Sequence, residues 1–389
     1  MYPISDQSRI TSIDIMRGFA LLGIFLVNML SFHSPFIYID PFTWWNDGTD
    51  RTVFMLIDVF VQASFYPLFA LLFGYGVMIL RERVILKGLS FPLIVFRRFS
   101  FLLVIGLLHA FFIWHGDILV TYALLGFIFI LFVKMSAKNL IIIGIVIYTL
   151  PNILLSLLLI LATLIEPESG MTPFVNVQSY MDTYQNGSFA EITSQRIADW
   201  YFTNNLGTFP ILAISILPLF LIGGGVQKLK LLENMENHKK LIQMLAAFSL
   251  IIGLMFKSLP YLWDENMAAQ YIQDIFGGPL VAIGYGLSIA LLANQRSMKK
   301  ILSPLTYVGR LSLSNYLFQS IVSSLIFYGY GLGFYGEISV LYGTLMVAVI
   351  FIIQILFSRL WLQYYYYGPF EWLWRSFTYF HLPRMKRML

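Results

Sequence analysis

The sequence predicts an all-α, polytopic transmembrane helix bundle of about ten helices, with both termini on the cytoplasmic side. Hydrophobic residues fill 58% of its 389 positions and charged residues only 12%, and the mean hydropathy is +0.76. So few charges cannot cover the surface of a soluble protein of this length, which makes lipid the main solvent. Apolar runs long enough to cross about 30 Å of hydrocarbon recur along the whole chain, and lipid offers their backbone groups no partner outside a helix.

In order, the runs predict helices over Ile15–Ser34, Val53–Leu80, Phe99–Trp114, Ile118–Val133 and Asn139–Ile165, then Leu206–Gly225, Leu241–Leu262, Asp274–Ala293, Pro304–Phe327 and Ile338–Leu360. With the N-terminus inside, Arg81, Arg83, Lys87, Arg97 and Arg98 share one cytoplasmic loop, and later basic clusters fall on the same side. Of the 25 Lys and Arg, Arg51, Arg196 and Lys257 alone oppose that orientation. The whole chain, 1–389, reads as a single integral membrane domain. It carries an extracytoplasmic loop at 166–205 and a cytoplasmic interfacial tail at 361–389, rich in Tyr and Trp as an aromatic belt requires. Within the loop, Ser188-Phe-Ala-Glu191 has the spacing of a capping box. It predicts a short interfacial helix with Ile192, Ile197 and Trp200 resting on the membrane surface.

The absence of cysteine excludes disulfides, thiolate metal sites and a cysteine nucleophile. No HExxH-type spacing occurs, so no metal is expected. Although the pI is near 9.1, the basic residues lie beside apolar runs, which points away from nucleic acid. Membrane lipids and a small-molecule acceptor are the expected partners, and a homodimer is an expected assembly.

An ionisable group inside a spanning helix is costly unless it faces a partner or a water-filled cavity, so each one marks a candidate site. Asn28 and His33 near the end of the first run, Asp58 and Gln62 in the second, and His109, His115 and Asp117 around the third sit at similar outer depth. If their polar faces converge, they form one chemistry-capable pocket. His109 is the candidate base, with His33 its rival; Asp117 or Asp58 would orient the imidazole, and Asn28 would donate to a developing oxyanion. Transmembrane His, Asn and Gln also serve simply to hydrogen-bond neighbouring helices. Toward the cytoplasm, Arg17, Arg97, Arg98 and Arg310 suit a phosphorylated ligand, since guanidinium matches phosphate oxygens in pairs. Arg17 also shares a helix face with Asp14, three residues away, and could pair with it.

Several separated segments carry a resemblance: Arg9-Ile-Thr-Ser-Ile-Asp-Ile-Met-Arg-Gly-Phe-Ala-Leu-Leu-Gly-Ile-Phe-Leu-Val-Asn28, Gly106-Leu-Leu-His-Ala110, Gly116-Asp-Ile-Leu119, Gly309-Arg-Leu-Ser-Leu-Ser-Asn-Tyr316 and Gly368-Pro-Phe-Glu-Trp-Leu-Trp-Arg375. Together they resemble the YeiB-like family of bacterial membrane proteins, a domain of unknown function, over nearly the whole chain. The opening Asp-x-x-Arg-Gly followed by Val-Asn is also similar, more distantly, to the transmembrane acyltransferase superfamily. That similarity implies an acyl-coenzyme A donor approaching from the cytoplasm, with Asn28 and, more loosely, His33 serving an acceptor on the far side. His109 and Gly116-Asp117 have no counterpart in the lysosomal acetyltransferase of that superfamily. The resemblances imply a multi-pass protein of the bacterial inner or cytoplasmic membrane. The function expected is transfer of an acyl group from cytoplasmic acyl-coenzyme A to an extracytoplasmic hydroxyl or amine. The alternative is a transporter, or a lipid- or small-molecule-binding protein with a polar intramembrane site.

Overall fold

The computed structural model describes residues 10–46, 48–165 and 175–387, and its regular structure is helical throughout them. Arg9 and the loop segment 166–174 lie outside the described residues. The first half of the chain forms α1 (Thr11–His33), α2 (Pro41–Trp44), α3 (Gly48–Phe60), α4 (Phe65–Leu86), α5 (Phe91–Phe112), α6 (Leu119–Phe129), α7 (Ala137–Ile165), α8 (Val177–Asn186) and α9 (Phe189–Asn204). The second half forms α10 (Phe209–Lys228), α11 (Lys239–Lys257), α12 (Leu259–Leu262), α13 (Met267–Ile272), α14 (Gly278–Ala293), α15 (Arg296–Arg310), α16 (Ser312–Phe327), α17 (Val340–Tyr364) and α18 (Pro369–Tyr379).

Among the described residues, 8 helices are long and apolar enough to cross a membrane, with α3–α4 and α13–α14 each counted as one. The shorter α6 and α16 occupy the two remaining predicted runs. This is a multi-pass membrane bundle. Where it departs from the predicted runs, the backbone shows why. The second run breaks at Val61–Ser64, where Ala63 takes a left-handed φ of 54°, and this divides a 39-residue stretch that would otherwise far exceed a bilayer. The third helix starts at Phe91 rather than Phe99, with Pro92 in its first turn, where a missing N–H costs nothing. The ninth run splits at Leu311: α15 begins upstream at Arg296 and carries Pro304 inside it.

Small residues let the helices approach closely, as bundles in lipid require. A methyl on Gly74 would lie 2.1 Å from the Phe220 carbonyl oxygen, and one on Gly223 2.0 Å from that of Leu71, so α4 and α10 meet backbone to backbone. In the same way α1 meets α15: a methyl on Gly18 would strike the Leu305 carbonyl at 2.1 Å, and one on Gly309 that of Asp14 at 1.9 Å.

The bundle has two chemically distinct ends. Arg17, Arg98 and Arg310 mark the basic end, where α18 docks. Trp374 Nε1 donates to the Arg98 carbonyl at 2.8 Å, and Glu371 accepts the Ser314 backbone N–H at 2.9 Å and its hydroxyl at 2.5 Å. At the other end α8 and α9 form a cap. The capping box is present, with the Ser188 hydroxyl and Glu191 carboxylate each bonded to the other's backbone N–H. The helix it opens is set more deeply than predicted. Ile192 is buried among Tyr180, Tyr184 and Phe327, and Trp200 packs edge-on against Phe111. Ile197 stays exposed. Ile192, Arg196 and Asp199 recur at helical spacing and face inward as one stripe.

Candidate functional site

His109 lies in the last turn of α5, and Asp117 eight residues on, in the turn that leads to α6. A methyl on Gly106 would lie 2.7 Å from the Val120 amide nitrogen, so the small residue lets α6 begin directly against α5. That approach brings Asp117 Oδ1 to 2.8 Å from His109 Nδ1. The other carboxylate oxygen, Oδ2, accepts the Val120 N–H at 2.8 Å in the first turn of α6. Both oxygens are therefore committed, and both side chains are buried. A carboxylate at Nδ1 favours the tautomer that carries its proton there, which leaves the lone pair on Nε2. His109 Nε2 has no protein hydrogen-bond partner among the described residues. The ring of Tyr316, on α16, lies 5.1 Å from the imidazole, and that of Trp114 6.4 Å.

His33 and Asp58 do not join this pair. His33 is buried against Phe327 and Trp45, at ring distances of 6.0 and 6.4 Å, and a methyl on Gly343 would touch it at 3.0 Å. Phe327 and Tyr316 stand eleven positions apart on α16, about 16 Å along its axis. The two histidines thus pack at different levels of one helix. Asp58 turns instead to α12 and the π-helical segment after α13: it accepts from Tyr261 at 2.9 Å and from the Gln273 amide. Beside it, Lys257 pairs with Asp274 at 3.0 Å. Asn28 stays half-buried on α1. The expected single pocket is therefore corrected to the His109–Asp117 dyad, with His33 and Asp58 each packed elsewhere and His115 turned to the cap. Depth along a helix follows from the sequence, but the direction in which each face points does not.

Of the basic-end residues, Arg17 lies 3.5 Å from Asp14. Arg97 stacks on Phe380 at 4.0 Å and Arg98 on Trp374 at 3.7 Å. Arg310 ends α15 at the junction with α16.

Sequence reasoning named His115 but missed Asp199, the polar centre of the cap. Asp199 accepts hydrogen bonds from Tyr38 at 2.9 Å, Gln195 at 2.8 Å, Tyr180 at 3.1 Å and Tyr184 at 2.7 Å. His115 Nδ1 lies 3.7 Å from the same carboxylate. Burial holds the His115 pKa below its usual value, opposed by the charge of Asp199. The signal available was an acidic residue four positions before Thr203 on an otherwise interfacial helix, which is weak.

The segments that carry the resemblance touch one another. Gly309 packs on Asp14 and Gly18, Ser314 is held by Glu371, Tyr316 lies on His109, and His109 pairs with Asp117. Comparison with known proteins agrees with this. A model of the family described as "Protein of unknown function (DUF418)" matches residues 226–381. Over 397 residues the chain is 33% identical to the uncharacterized protein YxaH of Bacillus subtilis (strain 168), covering 97% of this chain and 96% of the relative. It is 29% identical over 388 residues to the uncharacterized protein YeiB of Escherichia coli (strain K12), covering 96% and 97%. The chain belongs to the YeiB-like DUF418 family. Within this DUF418 chain the family match spans α11–α18, including Tyr316 and Glu371. The His109–Asp117 pair lies upstream, in the part covered by the full-length relatives.

Proposed function

We propose that the chain is a bacterial inner-membrane acyltransferase with His109 as its general base. The observation that carries this reading is the buried imidazole whose Nδ1 is held by Asp117 while Nε2 is left without a protein partner. A neutral imidazole so fixed accepts a proton at Nε2, and the carboxylate stabilises the cation that results. The acceptor hydroxyl or amine would lose its proton to Nε2 as its oxygen or nitrogen attacks the thioester carbonyl. The carbon–sulfur bond then breaks, and the imidazolium returns the proton to the departing thiolate.

The basic end, taken as cytoplasmic from its charge, supplies the donor side. Arg97 and Arg98 are held flat against aromatic rings, and a guanidinium stacked in this way keeps its N–H edge available to phosphate. With Arg17 and Arg310 they would serve the nucleotide part of acyl-coenzyme A. The test is turnover of acyl-coenzyme A by purified protein in proteoliposomes, for the wild type and for His109→Ala and His33→Ala separately. Loss in His109→Ala with activity retained in His33→Ala is the expected result; full activity in His109→Ala sinks the assignment.

A second reading, transport of a polar solute, is favoured by one feature. Asp58, Gln273, Lys257 and Asp274 join the broken α3–α4 helix to the π-helical turn at Gln273–Gly277, and interrupted helices with ionisable groups are common in transporters. Saturable uptake by the same proteoliposomes, with no thermal stabilisation by acyl-coenzyme A, would select it.

A further inference from the structure

Arg196 is one of the largest fully buried side chains in the molecule, and it opposes the charge bias that orients the bundle. A buried guanidinium without a counter-ion costs several kcal/mol. Among the described residues, no carboxylate is close enough to form a salt bridge with it. Asp199, three positions on, already receives four hydrogen bonds from Tyr38, Gln195, Tyr180 and Tyr184.

The partners Arg196 does have are neutral and fix its position. Nε donates to the Ile192 carbonyl at 3.3 Å and Nη2 to the Thr193 hydroxyl at 3.1 Å. The rings of Phe189 and Tyr330 lie 5.1 and 5.7 Å from the guanidinium carbon, and the Tyr330 hydroxyl also interacts with it. Nη1 forms no hydrogen bond within the distance and angle limits of a normal one. Two further buried donors accompany it. The Tyr328 hydroxyl has no hydrogen-bond partner among the described residues, and its ring lies 5.9 Å from that of Tyr330, which borders the guanidinium; the Trp200 indole N–H, four residues on along α9, has none either. Among the described residues, this fixed cation has no anionic acceptor within salt-bridge distance, although the Asp199 carboxylate lies one turn away.

We infer that Arg196, with Tyr328 and Trp200, forms an oxyanion subsite inside the cap that takes a single carboxylate or phosphate group. The Trp114 ring lies 6.4 Å from that of His109 and 5.6 Å from that of His115, and His115 Nδ1 lies 3.7 Å from Asp199, one turn from Arg196, so the subsite and the dyad are neighbours across His115. Resting on the acyl-transfer reading, the acceptor is then an anionic hydroxyl or amine compound. Its charged group is held at Arg196 while its nucleophile faces His109. A planar guanidinium is suited to that task, and lysine does not replace it well.

The experiment is thermal unfolding of purified protein in detergent, titrated with inorganic phosphate or acetate at constant ionic strength set with chloride, and in parallel in nanodiscs of phosphatidylglycerol or phosphatidylcholine. A saturable stabilisation by phosphate or acetate is expected. Its apparent Kd should rise about ten-fold in Arg196→Lys and also increase in Tyr328→Phe, which preserves the ring packing. The response should persist in His109→Ala, so the subsite and the acyl-transfer chemistry can fail separately. Stabilisation only in phosphatidylglycerol, again lost in Arg196→Lys, assigns the same site to a lipid headgroup. No saturable response to either soluble anion or to the anionic lipid, or equal responses in the wild type and both cap variants, overturns the proposal.

Discussion

His109 and Asp117 are joined by a 2.8 Å hydrogen bond across the α5–α6 turn, and the carboxylate is held at its other oxygen by a backbone amide of α6. This arrangement decides what Asp117 substitutions should do. Asp117→Asn keeps the size but its amide no longer enforces the Nδ1-protonated tautomer. Acyl transfer should fall by about 10²-fold or more with little change in the amount of folded protein. Asp117→Ala also leaves the Val120 N–H without its acceptor, and should lower thermal stability by roughly 1–3 kcal/mol in addition. Parallel turnover and unfolding measurements separate the two effects.

The cap makes stability depend on pH in a definite direction. The folded-state pKa of His115 is depressed by burial, so the unfolded chain binds its proton more readily. The stability this contributes is fully present above the unfolded value of about 6.5 and is lost as pH falls toward the lower folded value. Unfolding temperature should therefore drop between about pH 7 and pH 5, and His115→Gln should flatten that slope. An unchanged slope would show that His115 is not the responsible group.

Three basic residues run against the charge bias, and the structure gives two of them an acidic partner. Arg51 pairs with Glu265 at 2.8 Å and Lys257 with Asp274 at 3.0 Å, while Arg196 is enclosed by rings. Reading the apolar runs in the sequence predicted the bundle, because lipid imposes a hydropathy pattern on every spanning helix. It could not reveal these pairings, since partners such as Arg51 and Glu265 are far apart in the chain. The start of α5 was hidden for a related reason. Arg97 and Arg98 read as a loop, but the aromatic rings of the tail cover their charges and let the helix continue through them. Asp117 was legible as one of two carboxylates for His109 because only a turn separates them; choosing it over Asp58, like the placement of His33, depended on which way each helix face turned.

The tail should matter for folding. Glu371→Ala removes both bonds to Ser314 at the first turn of α16. It should cost roughly 1–3 kcal/mol and expose the segment after Tyr364 to limited proteolysis. Glu371→Gln, which can still accept from Ser314, should be milder on both measures.

Close helix packing offers a sharper test. Gly223→Val places side-chain atoms where the Leu71 carbonyl already sits, so α4 and α10 would have to separate. The variant should fail to elute as a monodisperse species after extraction. Gly207→Ala, in an exposed turn, should behave like the wild type.

The base assignment rests on which imidazole nitrogen of His109 carries the proton. Nitrogen-15 NMR of histidine-labelled protein at pH 8, with the His109 signal identified by its loss in His109→Gln, measures this directly. The expected spectrum has the proton on Nδ1 and a bare Nε2. A proton on Nε2, or a doubly protonated ring at that pH, would contradict a role for His109 as the base.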